Sequence, residues 1–376
     1  MGHSGKKRIL IVGTMQLPHR ILFDKCRYLW HTYDITIISP DTGKEKLIDI
    51  HIKAIFLNKA KESTRIYHII HYKKFKNFLR FLELIKFTRD HLQNNPYDLV
   101  LIWSHSKAFM FKLFCKNHGK YAMMIFTQGV SDNYLKNLYH DYWVRFNALF
   151  FDTILLYTER DREYFKIPKQ KAHIMGLGIN AIAYRERSFD SMNLIYLGTL
   201  SNRYVHDTVK GFAEFYSEYG DSISVNYLII GTGNPQDTEQ LINSIENAGK
   251  NVPVRYLGGL DDNELVDVFN KSNIGVNYLK VTSYFTHNIS TKTYEYLLSG
   301  MPVISVKLNS LIGVIDDSNG CFIEDTSKGF KDGLIRMTNN MKRFQSSVVA
   351  KSGEHGSAKS IVEKNWIPAL ESILDK

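Results

Sequence analysis

The residues best suited to chemistry lie between 290 and 306, in the run STKTYEYLLSGMPVISV. Ser290 and Thr291 stand where a helix begins, so their hydroxyls and the unpaired amides of the first turn can hold an anion such as a diphosphate. Lys292 enters that first turn, the end of the helix dipole that disfavours a cation unless an anion sits beside it. Glu295 follows on the same helical face. A carboxylate there can accept hydrogen bonds from the two hydroxyls of a ribose. The plainer alternative is a surface Lys–Glu pair on a capped helix, an interaction worth about 0–1 kcal/mol. Two further segments add to the pattern. Gly198-Thr199-Leu200-Ser201 and Gly231-Thr232-Gly233-Asn234 each follow an apolar run and precede a helical one. Glycine there lets backbone approach a phosphate, and the helix amino terminus offers N–H groups to it. The alternative is a pair of tight strand–helix turns.

These positions are set by apolar runs that alternate with amphipathic segments. In the first half, Arg8–Gly13 (RILIVG), Tyr33–Ser39, Tyr97–Trp103, Tyr121–Phe126 and Thr153–Tyr157 read as buried strands. Helices are predicted over Leu17–His31, 66–89 and Lys107–Asn117. The pattern then restarts, with strands over Met192–Leu197, Ser224–Ile230, Val254–Leu257, Ile274–Tyr278 and Pro302–Val306. Helices are predicted over His206–Tyr219, Pro235–Ala248, Asp261–Lys271 and Lys292–Ser299, and Asp261 with Glu264 forms a capping-box pattern. Strand signals vanish between Met175 and Ser191. The fold class is therefore α/β, with two Rossmann-like parallel sheets. The expected domains are 1–175 and 176–355, followed by a tail helix within 356–376 that carries Trp366. Open parallel sheets bind ligands beyond the carboxyl ends of their strands, so a central cleft between two such ends is expected.

The composition fits that reading. The chain has 376 residues, 44% of them hydrophobic and 23% charged, which excludes disordered and fibrous classes. No apolar run reaches the roughly 18 residues of a membrane span, and no signal-peptide pattern opens the sequence. Three widely spaced cysteines, Cys26, Cys115 and Cys321, suit neither a disulfide framework nor a zinc cluster, so a cytoplasmic setting is expected. Residues 1–180 carry 29 Lys and Arg against 15 Asp and Glu, a balance of +14, whereas residues 181–376 carry 19 against 23, a balance of −4. The densest basic stretch is 66–89, where Phe75, Phe78, Leu79, Leu82 and Ile85 recur at helical spacing among Lys73, Lys74, Lys76, Arg80 and Lys86. It reads either as a domain helix with its lysines in water or as contact with an anionic membrane surface. Nucleic acid is not expected as a partner, because no recognition motif accompanies the charge. No Asp-x-Asp follows a strand. Asp261-Asp262 and Asp316-Asp317 read as a helix cap and a turn, so neither a metal nor a cofactor is expected.

Taken in order, several segments resemble retaining glycosyltransferases of the GT-B fold, family four type (glycosyl transferases group 1). Lys292-x-x-Glu295-Tyr-Leu-x-x-Gly300-x-Pro302-Val303-Ile304 is similar to that family's nucleotide-site helix. Ile229-Ile230-Gly231-Thr232-Gly233, Tyr256-Leu257-Gly258, Glu264-Leu265 and Ser272-Asn273-Ile274-Gly275-Val276 resemble the segments around it. Met175-Gly176-Leu177-Gly178-Ile179-Asn180 is similar to the entry into the family's second domain. In the first half, Ser104-His105-Ser106 and Thr127-Gln128-Gly129 stand where the family often shows Ala-His-Ser and Thr-His-Gly.

The resemblance implies a nucleotide-sugar donor, UDP- or GDP-linked, on the second domain. Glu295 would bind the ribose. Ser290, Thr291 and Lys292, with Gly198, Thr199, Arg203, Gly231 and Gly233, would line the diphosphate. His105, Gln128 and His287 would face the transferred sugar, with Gly13 and Gly129 on the acceptor side, and the tail helix would cross back to the first domain. The acceptor would be a glycan or lipid-linked, in bacterial surface polysaccharide synthesis, with the enzyme peripheral on the inner membrane face. Departures from the family pattern are specific. His287 occupies the place of the family's first paired glutamate, Gln128 that of a histidine, Thr199 that of an arginine, and the first loop lacks the Gly-Gly pair. An epimerase or hydrolase on the same fold, or a non-catalytic partner subunit, are the alternatives.

Overall fold

The computed structural model describes residues 5–13, 19–40, 53–57, 73–103, 107–126, 128, 134–282, 285–287 and 290–375. The chain divides into two compact units, Met1–Gly178 with Ala358–Lys376, and Ile179–Ser357. The divisions thus fall after Gly178 and Ser357 rather than after 175 and 355.

The first unit runs β1 (Arg8–Gly13), α1 (His19–Leu29), β2 (Asp34–Pro40), β3 (Lys53–Leu57), α2 (Lys73–Asn94), β4 (Leu99–Trp103), α3 (Ala108–Phe114), β5 (Lys120–Ile125), α4 (Tyr134–Ala148), β6 (Thr153–Leu156), α5 (Glu159–Phe165) and β7 (Ala172–Ile174). Its seven strands lie in the order β3-β2-β1-β4-β5-β6-β7, every pair parallel. The central strands are largely apolar because helices cover both faces of the sheet. In β1, Ile9 and Ile11 pack into the layer that holds α1, whereas Leu10 and Val12 pack into the layer that holds α2.

The second unit runs β8 (Met192–Leu197), α6 (His206–Tyr219), β9 (Val225–Ile230), α7 (Pro235–Ala248), β10 (Val254–Tyr256), α8 (Asp262–Lys271), β11 (Ile274–Asn277), α9 (Thr291–Leu298), β12 (Val303–Val306), β13 (Gly320–Ile323), α10 (Ser327–Asn340) and α11 (Ser346–Ser352). Its six strands are parallel in the order β10-β9-β8-β11-β12-β13. Asp261 and Glu264 form the full capping box at the start of α8.

The chain then returns to the first unit through α12 (Ala358–Ile361), a π-helical turn (Val362–Trp366) and α13 (Ile367–Asp375). Val362, Trp366, Leu370 and Ile373 complete the core layer around α1. The Trp366 ring lies 5.8 Å from that of Trp103 in β4.

The basic helix differs from its sequence reading. Residues 66–72 lie outside the described residues, and the helix runs on to Asn94. Its buried stripe is Phe81, Leu84, Ile85 and Leu92, while Phe78 and Leu82 of the expected stripe are exposed. The spacing of all these residues is helical, and the sheet beneath selects one of two overlapping stripes.

All three cysteines are free and buried, and burial raises their pKa, for Cys26 to about 12. Lys25 of α1 is also fully buried, with its ammonium 5.8 Å from the Trp366 ring and 5.9 Å from the Tyr157 ring. Desolvation by burial lowers its pKa to about 7, against partial opposition from Asp24.

Two outcomes are expected. Trp366→Ala removes the largest side chain of the terminal layer and should cost about 3–5 kcal/mol in urea unfolding, a loss under about 1 kcal/mol being inconsistent with this packing. The unfolded Lys25 keeps its proton up to about pH 10.4 whereas the folded one releases it near pH 7. Between those values the unfolded state binds more protons, so stability rises with pH, by at most about 1.4 kcal/mol per unit. Lys25→Met should remove that rise and stabilise the protein most below pH 7. Parallel denaturation profiles for the two proteins between pH 6 and pH 9 would contradict it.

Candidate functional site

The sheet order of the second unit reverses between β8 and β11, the place where open α/β sheets open a crevice beyond their strand ends. The loops after β8 and β9 and the helix that follows β11 all lie at that end. Helix α9 begins at Ser290, whose Oγ accepts the Thr293 amide at 3.4 Å and the Thr293 hydroxyl at 3.0 Å. The first amides of the helix, at Thr291 and Lys292, have no acceptor within it. Lys292 Nζ lies 2.8 Å from Glu295 Oε2, and Glu295 is only 6% exposed. The anion that offsets a lysine at the positive end of the helix is therefore Glu295 itself. A carboxylate this buried is not one half of an exposed surface pair, which removes that alternative.

Three contacts fix α9. The Tyr296 hydroxyl accepts the Leu197 amide at 2.7 Å, at the end of β8. Burial raises the Tyr296 pKa well above its ordinary value, so the phenol stays neutral. Its ring stacks on Phe269 at 5.8 Å, and a Cβ at Gly275 would sit 2.3 Å from its Cγ, so glycine in β11 makes room for it. Three residues beyond Tyr296, just past the helix end, the Ser299 carbonyl accepts from Arg187 Nε at 3.2 Å and Nη2 at 3.0 Å. Arg187 Nη1 also donates to the carbonyls of Phe269 and Ser272 at 2.7 and 2.5 Å, and burial lowers the pKa of this guanidinium to about 10. The Ser299 hydroxyl accepts the amides of Ile182 and Ala183 at 3.2 and 3.4 Å.

The two glycine loops are bonded to each other. The Gly198 amide donates to the Ile230 carbonyl at 3.0 Å, and the Leu200 amide and Thr199 hydroxyl donate to the Thr232 carbonyl at 2.9 and 3.3 Å. Gly231 has φ +146°, and a Cβ there would stand 1.7 Å from the Gly198 carbonyl oxygen. Packing alone thus requires glycine at 231, and the tight-turn reading holds for that residue. Asn234 caps α7 by accepting the Asp237 amide at 2.8 Å.

Arg203 lies between Asn202 and Tyr204, two non-glycine residues in the left-handed region, at φ 57° and 56°. Its guanidinium sits 4.0 Å from the ring of Phe285, in the turn Phe285–His287. The structure thus brings a candidate diphosphate ligand against the segment that ends at His287. Below them, Asp207 at the start of α6 accepts from Lys280 at 3.1 Å and from the Tyr278 hydroxyl at 3.3 Å. Burial lowers the pKa of neighbouring His206, with Lys210 and Lys280 adding to the effect and Asp207 opposing it.

The first-unit candidates are less completely placed. Gly13 ends β1 in register with Trp103 of β4, and Gln128 lies just past β5, half-buried. His105 and Gly129 lie outside the described residues. Among the described residues no group of three His, Cys, Asp or Glu is placed to hold a metal ion. Sequence reasoning missed Tyr296, Arg187 and the Asp207–Lys280 pair. The one available signal was Tyr296 itself, a phenol in an otherwise apolar stripe that needs a partner when buried.

Residues 191–340 match the family model described as glycosyl transferases group 1, so the second unit carries a domain of that kind. No curated protein sequence matches the chain. Among solved structures, the Anabaena protein Alr3699/HepE in complex with UDP and glucose aligns with a TM-score of 0.69 at 11% identity, over 97% of this chain and 99% of that one. A glycosyltransferase from Rickettsia africae aligns with a TM-score of 0.69 at 12% identity, over 99% and 100%. Sucrose-phosphate synthase from Thermosynechococcus elongatus aligns with a TM-score of 0.65 at 15% identity, over 98% and 97%. Similarity at this level establishes the fold, and the chain has the GT-B architecture.

Gly231→Ala places a methyl group on a carbonyl oxygen at a backbone angle that L-residues avoid. It should cost more than about 2 kcal/mol in urea unfolding, and a change within about 0.5 kcal/mol would contradict the loop packing.

Proposed function

We propose that the protein is a glycosyltransferase that moves a hexose from a UDP- or GDP-linked donor to a glycan or lipid-linked acceptor in bacterial surface polysaccharide synthesis. The observation that carries this reading is the buried Glu295 on a helix whose amino terminus opens at the sheet's reversal point, next to the glycine loops. The Anabaena structure holds UDP and glucose on the same fold, which supports a nucleotide-sugar donor here.

In this reading the Glu295 carboxylate accepts hydrogen bonds from the two ribose hydroxyls. The amides at the start of α9, with Ser290, Thr291 and Lys292, receive the diphosphate, and Thr199 and Arg203 approach it from the loop after β8. Gly198, Gly231 and Gly233 let the two loops pack closely, so that their backbone lines that side. When the bond from the anomeric carbon to the diphosphate oxygen breaks, negative charge grows on the departing diphosphate. Fixed N–H groups and cations stabilise it without reorganisation. These groups take the part a divalent ion would play, so the reaction is metal-independent and needs no cofactor. His105, Gln128 and His287 act on the transferred sugar, and Gly13 and Gly129 serve the acceptor side. Configuration is retained, as in the family the chain resembles. The basic first half suits an enzyme peripheral on the cytoplasmic membrane face, with the stretch 66–89 drawn to anionic lipid. No helix among the described residues is long and apolar enough to cross a membrane.

Isothermal calorimetry with UDP and GDP tests the site. Glu295→Ala should weaken the preferred nucleotide by about 1–3 kcal/mol, roughly 5- to 150-fold. An unchanged affinity removes the ribose assignment. Incubation with donor alone separates the readings further, since release of free sugar without an acceptor marks a hydrolase. Binding without turnover under any acceptor marks a partner subunit.

A further inference from the structure

Helix α4 was not expected from the sequence, and its outward face exposes more large apolar side chains than any other helix among the described residues. Tyr134, Leu135, Leu138, Tyr139 and Tyr142 share that face, and Leu149 follows just past the helix end. Each is between 53% and 75% exposed. The opposite face buries Asp141, Val144, Asn147 and Ala148 against the unit. A water-soluble surface rarely gathers so many large apolar side chains in one place without a partner.

The patch extends onto the neighbouring helices. Helix α3 packs between α2 and α4. It exposes Leu113 and Phe114 at 56% and 54%, and α2 exposes Phe78 and Leu82 at 38% and 37%. The α4 face stands on a rigid base. Tyr139 meets Trp143 at 6.0 Å, Trp143 meets Phe146 at 5.2 Å, and Phe146 meets Phe109 of α3 at 5.5 Å.

Charge indicates what covers this face. Residues 73–150 carry 12 Lys and Arg against 5 Asp and Glu. Lys107, Lys116, Lys136 and Arg145 are exposed around the apolar residues. Leucines and tyrosines set among lysines and arginines match the boundary of an anionic bilayer. There the apolar bodies enter the acyl edge, the phenol hydroxyls stay at headgroup level and the cations meet phosphate. We infer that the outward face of α4, continued by the exposed residues of α2 and α3, docks the first unit on an anionic lipid bilayer. This deepens the membrane part of the proposed function, because it adds the larger apolar face of α4 to the basic stretch 66–89. It is independent of the donor chemistry.

The test uses the full chain and vesicles of phosphatidylcholine with or without about one-third phosphatidylglycerol. The wild type should sediment with the anionic vesicles. The variant carrying Leu135→Ser, Leu138→Ser and Tyr142→Ser should bind them roughly tenfold or more weakly at low and high salt alike, because it loses apolar contact rather than charge. Its circular dichroism and UDP affinity report whether it is folded. A second measurement avoids the multiple substitution. Leu138→Cys carries an environment-sensitive dye, the native thiols being buried and unreactive, and its emission should shift to the blue on anionic vesicles. Unaltered sedimentation of the triple variant, or a dye emission that vesicles leave unchanged, overturns the proposal. So does a wild-type dimer that the triple variant abolishes while neither protein binds vesicles, since the face then belongs to a second copy. Vesicle binding without any UDP or GDP binding sinks the donor reading and leaves this one standing.

Discussion

A single hydrogen bond sets the geometry of the candidate donor site, the one from the Leu197 amide to the Tyr296 hydroxyl. The pairing of β8 with β11 ends at Tyr196, so the next amide on that edge has no strand to receive it. A phenol from α9 takes the place of that strand. Helix α9 has only eight residues, too few to be stable by its own propensity, so its place depends on what it packs against. The Tyr296 ring needs the space left by Gly275, and the Arg187 guanidinium holds the Ser299 carbonyl just past the helix end. With the last turn of the helix held in this way, Glu295 keeps its place beside Lys292.

Much of this architecture was legible in the sequence, for a physical reason. A parallel sheet covered on both faces needs strands with near-continuous apolar runs, and RILIVG and MNLIYL, each with a single polar residue, meet that need. The helices α6 and α7 show one stripe each and fall on their expected spans. The helix α4 was hidden because its apolar residues lie on nearly every side, so no stripe stands out. The strand β7 is three half-buried residues long and carries no pattern of its own. In α2 the expected stripe holds at Ile85 and fails at Phe78 and Leu82, whose spacing is as helical as that of the buried Phe81 and Leu84.

The candidate site was legible where its logic is local. A cap, a lysine in the first turn and a carboxylate three residues beyond the lysine can be read from adjacent letters. The partners that give these residues meaning are distant, with Leu197 and Ser299 lying 99 and 112 residues from the side chains that hold them. The glycine loops show the opposite limit. Their glycines stand out in the sequence, yet at Gly231 the demand for glycine comes from the neighbouring loop. A ligand-facing role for the loop rests on its position at the strand end.

The core of the first unit is built from both ends of the chain, with Ile9 and Ile11 in the same layer as Trp366, Leu370 and Ile373. The second unit is one uninterrupted stretch, Ile179–Ser357. On the ribosome, therefore, the unit made first is finished last. Its sheet must wait with one face unsealed while the whole second unit is synthesised and folds. Until Trp366 and its helix emerge, Trp103 and its neighbours lack their cover on that face, and a truncation before Trp366 leaves them without it.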